Sequence, residues 1–169
     1  MSFAAPRPVA ARDDLAAFRC GTRGLDEWLR QHARENERRG ASRTFVSIDE
    51  QGHVAAFYCL SAFTVQRADL GDGWDRMPPS LPVTLIGRLA VHADYQGTGL
   101  GFAMLKDAVV RAIGAAQAVG SVAVVAHVAN PSARSFYERF GFSTLPGDEN
   151  TFILTMADVE ATVARLAER

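Results

Sequence analysis

Gly87-Arg88-Leu89-Ala90-Val91, followed by Gln96-Gly97-Thr98-Gly99-Leu100-Gly101, is the stretch on which the fold turns. The first five residues close a mostly apolar run, 83–91, that reads as a strand interrupted by Gly87 and Arg88. From there on Leu100, Met104, Leu105, Ala108, Val109, Ala112 and Ile113 recur at helical spacing, which predicts a helix over 100–118. Three alternate glycines therefore stand between a strand and a helix. Glycine lets a ligand approach backbone N–H groups closely. The positive dipole end of the helix behind them suits a phosphate or pyrophosphate. A plain strand–helix turn can use the same residues, so the glycines alone decide nothing.

Downstream, 121–128 is a continuous apolar run of the kind buried on both faces of a sheet. Asn130-Pro131 then opens a helix, with asparagine suited to the N-cap and proline to the first helical position. That helix ends near Phe140-Gly141, and 152–156 and 158–169 read as a last strand and a terminal helix with Val159, Val163 and Leu166 inward. Upstream, 69–82 carries two glycines and three prolines and reads as a long loop, and loops of that length often carry function. Residues 44–48 and 54–65 read as strands around a turn at 49–52. Residues 23–39 read as one amphipathic helix stopped by Gly40, with Leu25, Trp28, Leu29, His32 and Ala33 on its apolar face. Strands and helices alternate in the second half, so the fold class is mixed α/β in a single domain over 1–169.

Known phosphate motifs narrow the glycine stretch. No Gly-Lys-Ser/Thr follows it, and the dinucleotide pattern fails because Phe102 stands three residues after Gly99. What remains, Gln-Gly-Thr-Gly-Leu-Gly, resembles the Q/R-x-x-G-x-G/A signature of the GNAT superfamily of acetyltransferases. Residues 130–142, Asn-Pro-Ser-Ala-Arg-Ser-Phe-Tyr-Glu-Arg-Phe-Gly-Phe, resemble the same family's N-x-x-A-x-x-F-Y-x-x-x-G-F helix. The resemblance implies a mostly antiparallel sheet flanked by helices, with a splayed central cleft for an acyl-CoA. It implies that Leu89, Ala90, Val91, Gln96, Gly97, Thr98, Gly99, Leu100 and Gly101 bind acetyl-CoA. It further implies that Asn130 and Ala133 line that co-substrate, that Tyr137 sits near its sulfur, and that no metal takes part.

The chemistry of acetyl transfer gives the tyrosine a task. An amine attacking a thioester builds negative charge first on the carbonyl oxygen and then on the leaving sulfur. Backbone N–H groups near Leu89–Val91 suit the first. A phenol, with an ordinary pKa of about 10, suits proton donation to the second. Taken alone, a helix aromatic is usually core, Tyr137 included, and Phe136 and Phe140 are assigned there. Glu138 points elsewhere on the helix and reads as solvated or ion-paired. No general base stands out, which favours an acceptor that is already partly deprotonated. An α-amine titrates at about 7.7–8.0 and a lysine at about 10.4, so the reading prefers an α-amine.

A narrower resemblance runs through most of residues 9–156. Phe18-Arg19-Cys20-Gly21 with Leu25-Asp26-Glu27-Trp28-Leu29 resembles the F-x-C-G-x-x-x-L-D-x-W/F-L opening of tRNA-acetylating toxins of the TacT/AtaT type. Ser42-Arg43-Thr44-Phe45-Val46 and Gly87-Arg88-Leu89-Ala90-Val91 continue it. This implies aminoacyl-tRNA as acceptor, a ribbon-helix-helix antitoxin and a homodimer as partners, and a block of translation as the outcome. Arg30, Arg34, Arg38 and Arg43 are the candidate tRNA contacts, since guanidinium groups bind phosphate bidentately. Arg88 is a further candidate for RNA or for a neighbouring subunit. Glu35 and Glu37 interleave with those arginines, so a solvated helix face accounts for them as well.

Bulk properties exclude some classes. The chain has 169 residues, 48% hydrophobic and 22% charged, with a formal net charge of −1. No run approaches the roughly 18–20 apolar residues of a membrane span, and the first residues lack a secretory apolar core; the expectation is cytoplasmic. Cys20 and Cys59 are far apart and form no metal motif, so they read as buried thiols. A net negative charge is unusual for a tRNA binder. An acetyltransferase for a small amine or a protein N-terminus, and a non-catalytic acyl-CoA-binding module, therefore stay open beside the toxin.

Overall fold

A computed structural model describes residues 1–128 and 130–168 of the chain. Seven strands form one sheet: β1 (Arg7–Pro8), β2 (Arg43–Ile48), β3 (Val54–Gln66), β4 (Ser80–Val91), β5 (Ala123–His127), β6 (Ser143–Leu145) and β7 (Asp148–Thr155). Their hydrogen-bonded order is β1-β2-β3-β4-β5-β7-β6. The pairs β1–β2, β2–β3, β5–β7 and β6–β7 are antiparallel. β4 and β5 run parallel, with Thr84, Leu85 and Ile86 opposite Val124, Val125 and Ala126. The helices are α1 (Arg23–Gln31), α2 (Ala33–Arg39), α3 (Leu100–Ala118), α4 (Arg134–Phe140) and α5 (Met156–Ala167).

The chain divides into two compact units. The first comprises Met1–Ser61 and Gly87–Ala108. Its core gathers Leu15, Phe18, Cys20, Trp28, Leu29, Ala33, Val46, Val54, Phe57, Cys59 and Ala90. Trp28 stacks on Phe57, and Phe18 meets Phe57 edge-on. Gly87 has a packing reason, because a Cβ there would stand 3.3 Å from the Cys59 sulfur. The strand is therefore continuous where the sequence suggested an interruption. Arg88 next to it lays its guanidinium 4.5 Å from the centre of the Trp28 ring, a cation–π contact.

The expected single helix over 23–39 is broken. His32 leaves helical geometry at φ −121°, closes α1 by donating to the Trp28 carbonyl, and precedes α2. At the break Arg34 donates to the carbonyls of Ala10, Ala11 and Asp13 at 3.4, 3.3 and 2.5 Å, so α2 is tied to the N-terminal segment. His32 itself is exposed, whereas Trp28, Leu29 and Ala33 are buried as expected.

The second unit comprises Ala62–Ile86 and Val109–Arg169. Ala123, Val124, Val125 and Ala126 are all fully buried, as the continuous apolar run predicts. Ala123 and Val125 pack with Leu81, Val83, Leu145 and Ile153. β4 starts at Ser80, earlier than read from sequence, and carries Pro82 within it; the Pro82 carbonyl accepts from the Val122 N–H at 2.9 Å. Val159 and Thr162 are the buried residues of α5, with Val163 and Leu166 only half-buried.

Candidate active site

In the first unit, the chain leaves β4 at Val91, makes a short 3-10 turn over Ala93–Tyr95, and reaches Gln96. His92 caps that turn, its Nδ1 accepting from the Asp94 N–H at 3.1 Å. Its backbone N–H donates to Ala55 of β3 at 2.8 Å. Gly97 (φ +78°) and Gly99 (φ +88°) then take the left-handed conformation that glycine adopts without penalty. A Cβ added at either would meet nothing within 4 Å, so both face open space. Thr98 Oγ1 donates to the Tyr95 carbonyl at 2.6 Å. α3 begins at Leu100 and runs for 19 residues with no acidic residue in its first turn.

An uncovered glycine backbone ahead of a long helix, with no carboxylate in the first helical turn, is an arrangement that suits a diphosphate. The same unit holds Leu89, Ala90 and Val91, with Ala90 buried and its two neighbours half-buried. Gln96, Gly97, Thr98 and Gly99 are exposed, Gly101 is half-buried and Leu100 is buried. The turn is braced below by Tyr95, whose hydroxyl donates to Asp49 Oδ2 at 2.6 Å and whose ring meets Phe3 edge-on. The Asp49 contact raises the Tyr95 phenol above its ordinary range.

Both cysteines are buried and unpaired in any disulfide. Burial, with the neighbouring Asp26 adding to it, pushes the Cys20 thiol up to about 11. Burial also raises Cys59. Both thiols stay protonated near neutral pH. Among the described residues no group of His, Cys, Asp or Glu is gathered as metal ligands.

In the second unit, Asn130 and Pro131 behave as read from sequence, with one addition. The Asn130 side chain accepts from the Ser132 N–H at 3.1 Å and caps a 3-10 turn, Pro131–Ala133, that feeds into α4. Tyr137 on α4 is 7% exposed, and its ring is fixed by Phe136, Phe142 and Phe152 at centroid distances of 5.1, 5.5 and 5.8 Å. Phe140 is fully buried and Phe136 half-buried; Glu138 is exposed. Gly141, at φ +129°, ends the helix.

The candidate RNA contacts separate into different situations. Arg30 is exposed in the last turn of α1 and makes no side-chain hydrogen bond or ion pair among the described residues. Arg34 is spent on backbone carbonyls. Arg38 and Arg39 both reach Glu35 at 2.6 Å. Arg43 donates to the Glu37 carbonyl at 2.8 Å, and Arg88 lies over Trp28. What the sequence reading missed is Asp26 accepting from the Cys20 N–H at 2.9 Å and Tyr95 donating to Asp49 beside the turn. The Leu25-Asp26 pair of the opening motif was the available signal for the first.

Residues 11–142 match the family model described as Acetyltransferase (GNAT) family. The chain belongs to the GNAT acetyltransferase family. A Mycobacterium tuberculosis protein named tRNA-acetylating toxin is 38% identical over 162 residues, covering 95% of this chain and 97% of that one. The structure of AtaT complexed with acetyl-methionyl-tRNAfMet superposes with a TM-score of 0.86 at 25% identity, over 95% of this chain and 98% of that one. The crystal structure of AtaTR bound with AcCoA gives a TM-score of 0.82 at 26% identity, over 94% and 96% of the two chains. This GNAT chain thus has the mixed, mostly antiparallel fold of those acetyltransferase toxins. No helix among the described residues is long and apolar enough to cross a membrane.

Proposed function

We propose that this GNAT protein is the toxin of a toxin–antitoxin pair and transfers the acetyl group of acetyl-CoA to the α-amine of aminoacyl-tRNA, blocking its use in translation. The observation that carries this reading is the 38% identity, over 95% of the chain, to a tRNA-acetylating toxin. The open glycine turn at Gly97 and Gly99 supports the acetyl-CoA part of it. Residues 1–169 act as one catalytic domain, cytoplasmic and homodimeric, with a ribbon-helix-helix antitoxin as partner.

Each residue then has a role. The amides of 96–101 and the N-terminal end of α3 hold the diphosphate. The backbone N–H groups near Leu89–Val91 stabilise charge on the thioester carbonyl oxygen. Asn130 and Ala133 line the co-substrate, and Tyr137 gives its phenolic proton to the departing sulfur. The acetyl group passes directly from the thioester to the amine. Arg30, exposed in the last turn of α1, offers its guanidinium to tRNA phosphate.

The test incubates the protein with labelled acetyl-CoA and a pool of charged tRNA. Label in N-acetyl-aminoacyl-tRNA is the expected result; label only on free amines or peptides moves the function to a small-amine or N-terminal acetyltransferase. Tyr137→Phe is expected to lower kcat by about 10²–10⁴-fold while acetyl-CoA still binds. Full activity in that variant removes the tyrosine from the mechanism.

A further inference from the structure

We propose that Asp26 and Gln96 are positioning residues for the glycine turn, coupled through the backbone of Cys20. The proposal rests on the reading that residues 96–101 bind acetyl-CoA.

The segment 18–20 lies alongside the connection from β4 to α3. The Ala93 N–H donates to the Arg19 carbonyl at 2.8 Å. One residue further on, the Gln96 side-chain amide donates to the Cys20 carbonyl at 2.7 Å and to the Val91 carbonyl at 3.1 Å. On its other side Cys20 is held by Asp26, whose Oδ1 accepts from the Cys20 N–H at 2.9 Å in a buried bond. Gly21, at φ +92°, lets the chain turn between Cys20 and α1. Asp26 is itself only 8% exposed and sits on α1, which Trp28 and Leu29 anchor in the core. A bracket thus runs from a core-anchored helix, through one residue, to the residue that precedes Gly97.

Two physical points give the bracket a purpose. A turn with two glycines at positive φ has few contacts of its own to hold it, and Gly97 and Gly99 touch nothing that a side chain would displace. Its geometry has to be imposed from its ends. The Gln96 amide nitrogen also has only two hydrogens, and both face protein carbonyls. The side chain therefore serves the turn, and the diphosphate is left to the backbone. The Phe-x-Cys-Gly…Leu-Asp opening of the sequence gains a role from this: it is the splint of the co-substrate loop.

The experiment uses the full chain and two readouts: coenzyme A affinity by calorimetry, and amide hydrogen exchange of residues 97–101 in the free protein. Asp26→Ala removes the acceptor for Cys20, and Gln96→Met removes the donor to two carbonyls without adding charge. Each is expected to weaken coenzyme A binding and raise the KM for acetyl-CoA roughly tenfold. kcat at saturation should stay within about twofold, and exchange across the turn should quicken. Asp26→Asn keeps an acceptor oxygen and should restore wild-type values. The double variant should be no worse than the weaker single one, since either change opens the same bracket. Unchanged exchange with wild-type affinity, effects that multiply in the double variant, or an asparagine no better than alanine each overturn the proposal. If Asp26→Ala does not fold, Gln96→Met, at an exposed side chain, decides alone. A wild-type chain that binds no coenzyme A sinks the functional reading, while the exchange data still judge the bracket.

Discussion

Asp13 shows how much one carboxylate can do in the N-terminal segment. Its two oxygens accept from the Arg7 guanidinium at 2.7 and 2.8 Å, and Oδ2 also accepts from the Ala10 N–H at 2.7 Å. The Arg7 hydrogen bond is the main reason its carboxyl lies below the usual carboxylate range. A folded value depressed below the unfolded one, about 3.9, stabilises the fold above that pH and loses the contribution as pH falls through the folded value. Asp13→Asn is therefore expected to cost about 2 kcal/mol at pH 7, or roughly 4–8 °C in Tm. The gap to wild type should close as thermal melts are repeated below about pH 4. A gap that persists at low pH assigns the loss to packing. Such residues are hard to read from sequence, because an aspartate in a polar stretch looks solvated until its partner is known. Asn130 was legible for the opposite reason: an Asx cap and a following proline are local, and the capping bond spans two residues.

Helices and strands were legible where burial repeats in register. α3 spans the residues expected, and Met104, Leu105, Ala108, Val109 and Ala112 are all fully buried. The helix over 23–39 was misjudged because helical spacing of apolar and basic residues survives the break at His32; beside the break stands a tertiary bond set that spacing does not show, Arg34 to the carbonyls of Ala10, Ala11 and Asp13. β1 and β6, of two and three residues, are too short to carry a period. The end of α4 supplies a stability test at this scale. Gly141 has φ +129°, and a Cβ there would stand 3.2 Å from Thr162 Oγ1 and 3.4 Å from Cγ2 on α5. Gly141→Ala thus combines backbone strain with a clash, and should cost about 2–4 kcal/mol. Pairing it with Thr162→Ala removes the clash but leaves the strain, so denaturant unfolding should recover only part of the loss. Full recovery means the backbone at 141 carries no strain.

At the scale of the whole molecule the question is how a chain of net charge −1 handles a polyanion. The arginine-rich stretch looked like one basic face, yet the structure engages most of it: Arg34 with carbonyls, Arg38 and Arg39 with Glu35, Arg43 with Glu37. Sequence spacing shows where charges lie along the chain and not which of them are already satisfied, so the glycine turn was legible where the partners of the arginines were not. Arg38, Arg39 and Glu35 are exposed, and ion pairs of that kind are weak enough to exchange for phosphate. Arg34 is different, since its removal takes a donor from three backbone carbonyls, of which Ala10 still accepts from the Asp13 N–H. Arg30→Ala should therefore raise the KM for aminoacyl-tRNA with no change in Tm, whereas Arg34→Ala should lower Tm. Ionic strength sorts the same groups. With about two phosphates neutralised, the KM for tRNA should climb roughly tenfold between 50 and 200 mM salt, with the KM for acetyl-CoA moving far less. Arg30→Ala should flatten that slope by about one phosphate. A slope that is zero in the wild type removes the phosphate backbone from recognition and leaves the amine and its immediate surroundings as the acceptor determinant.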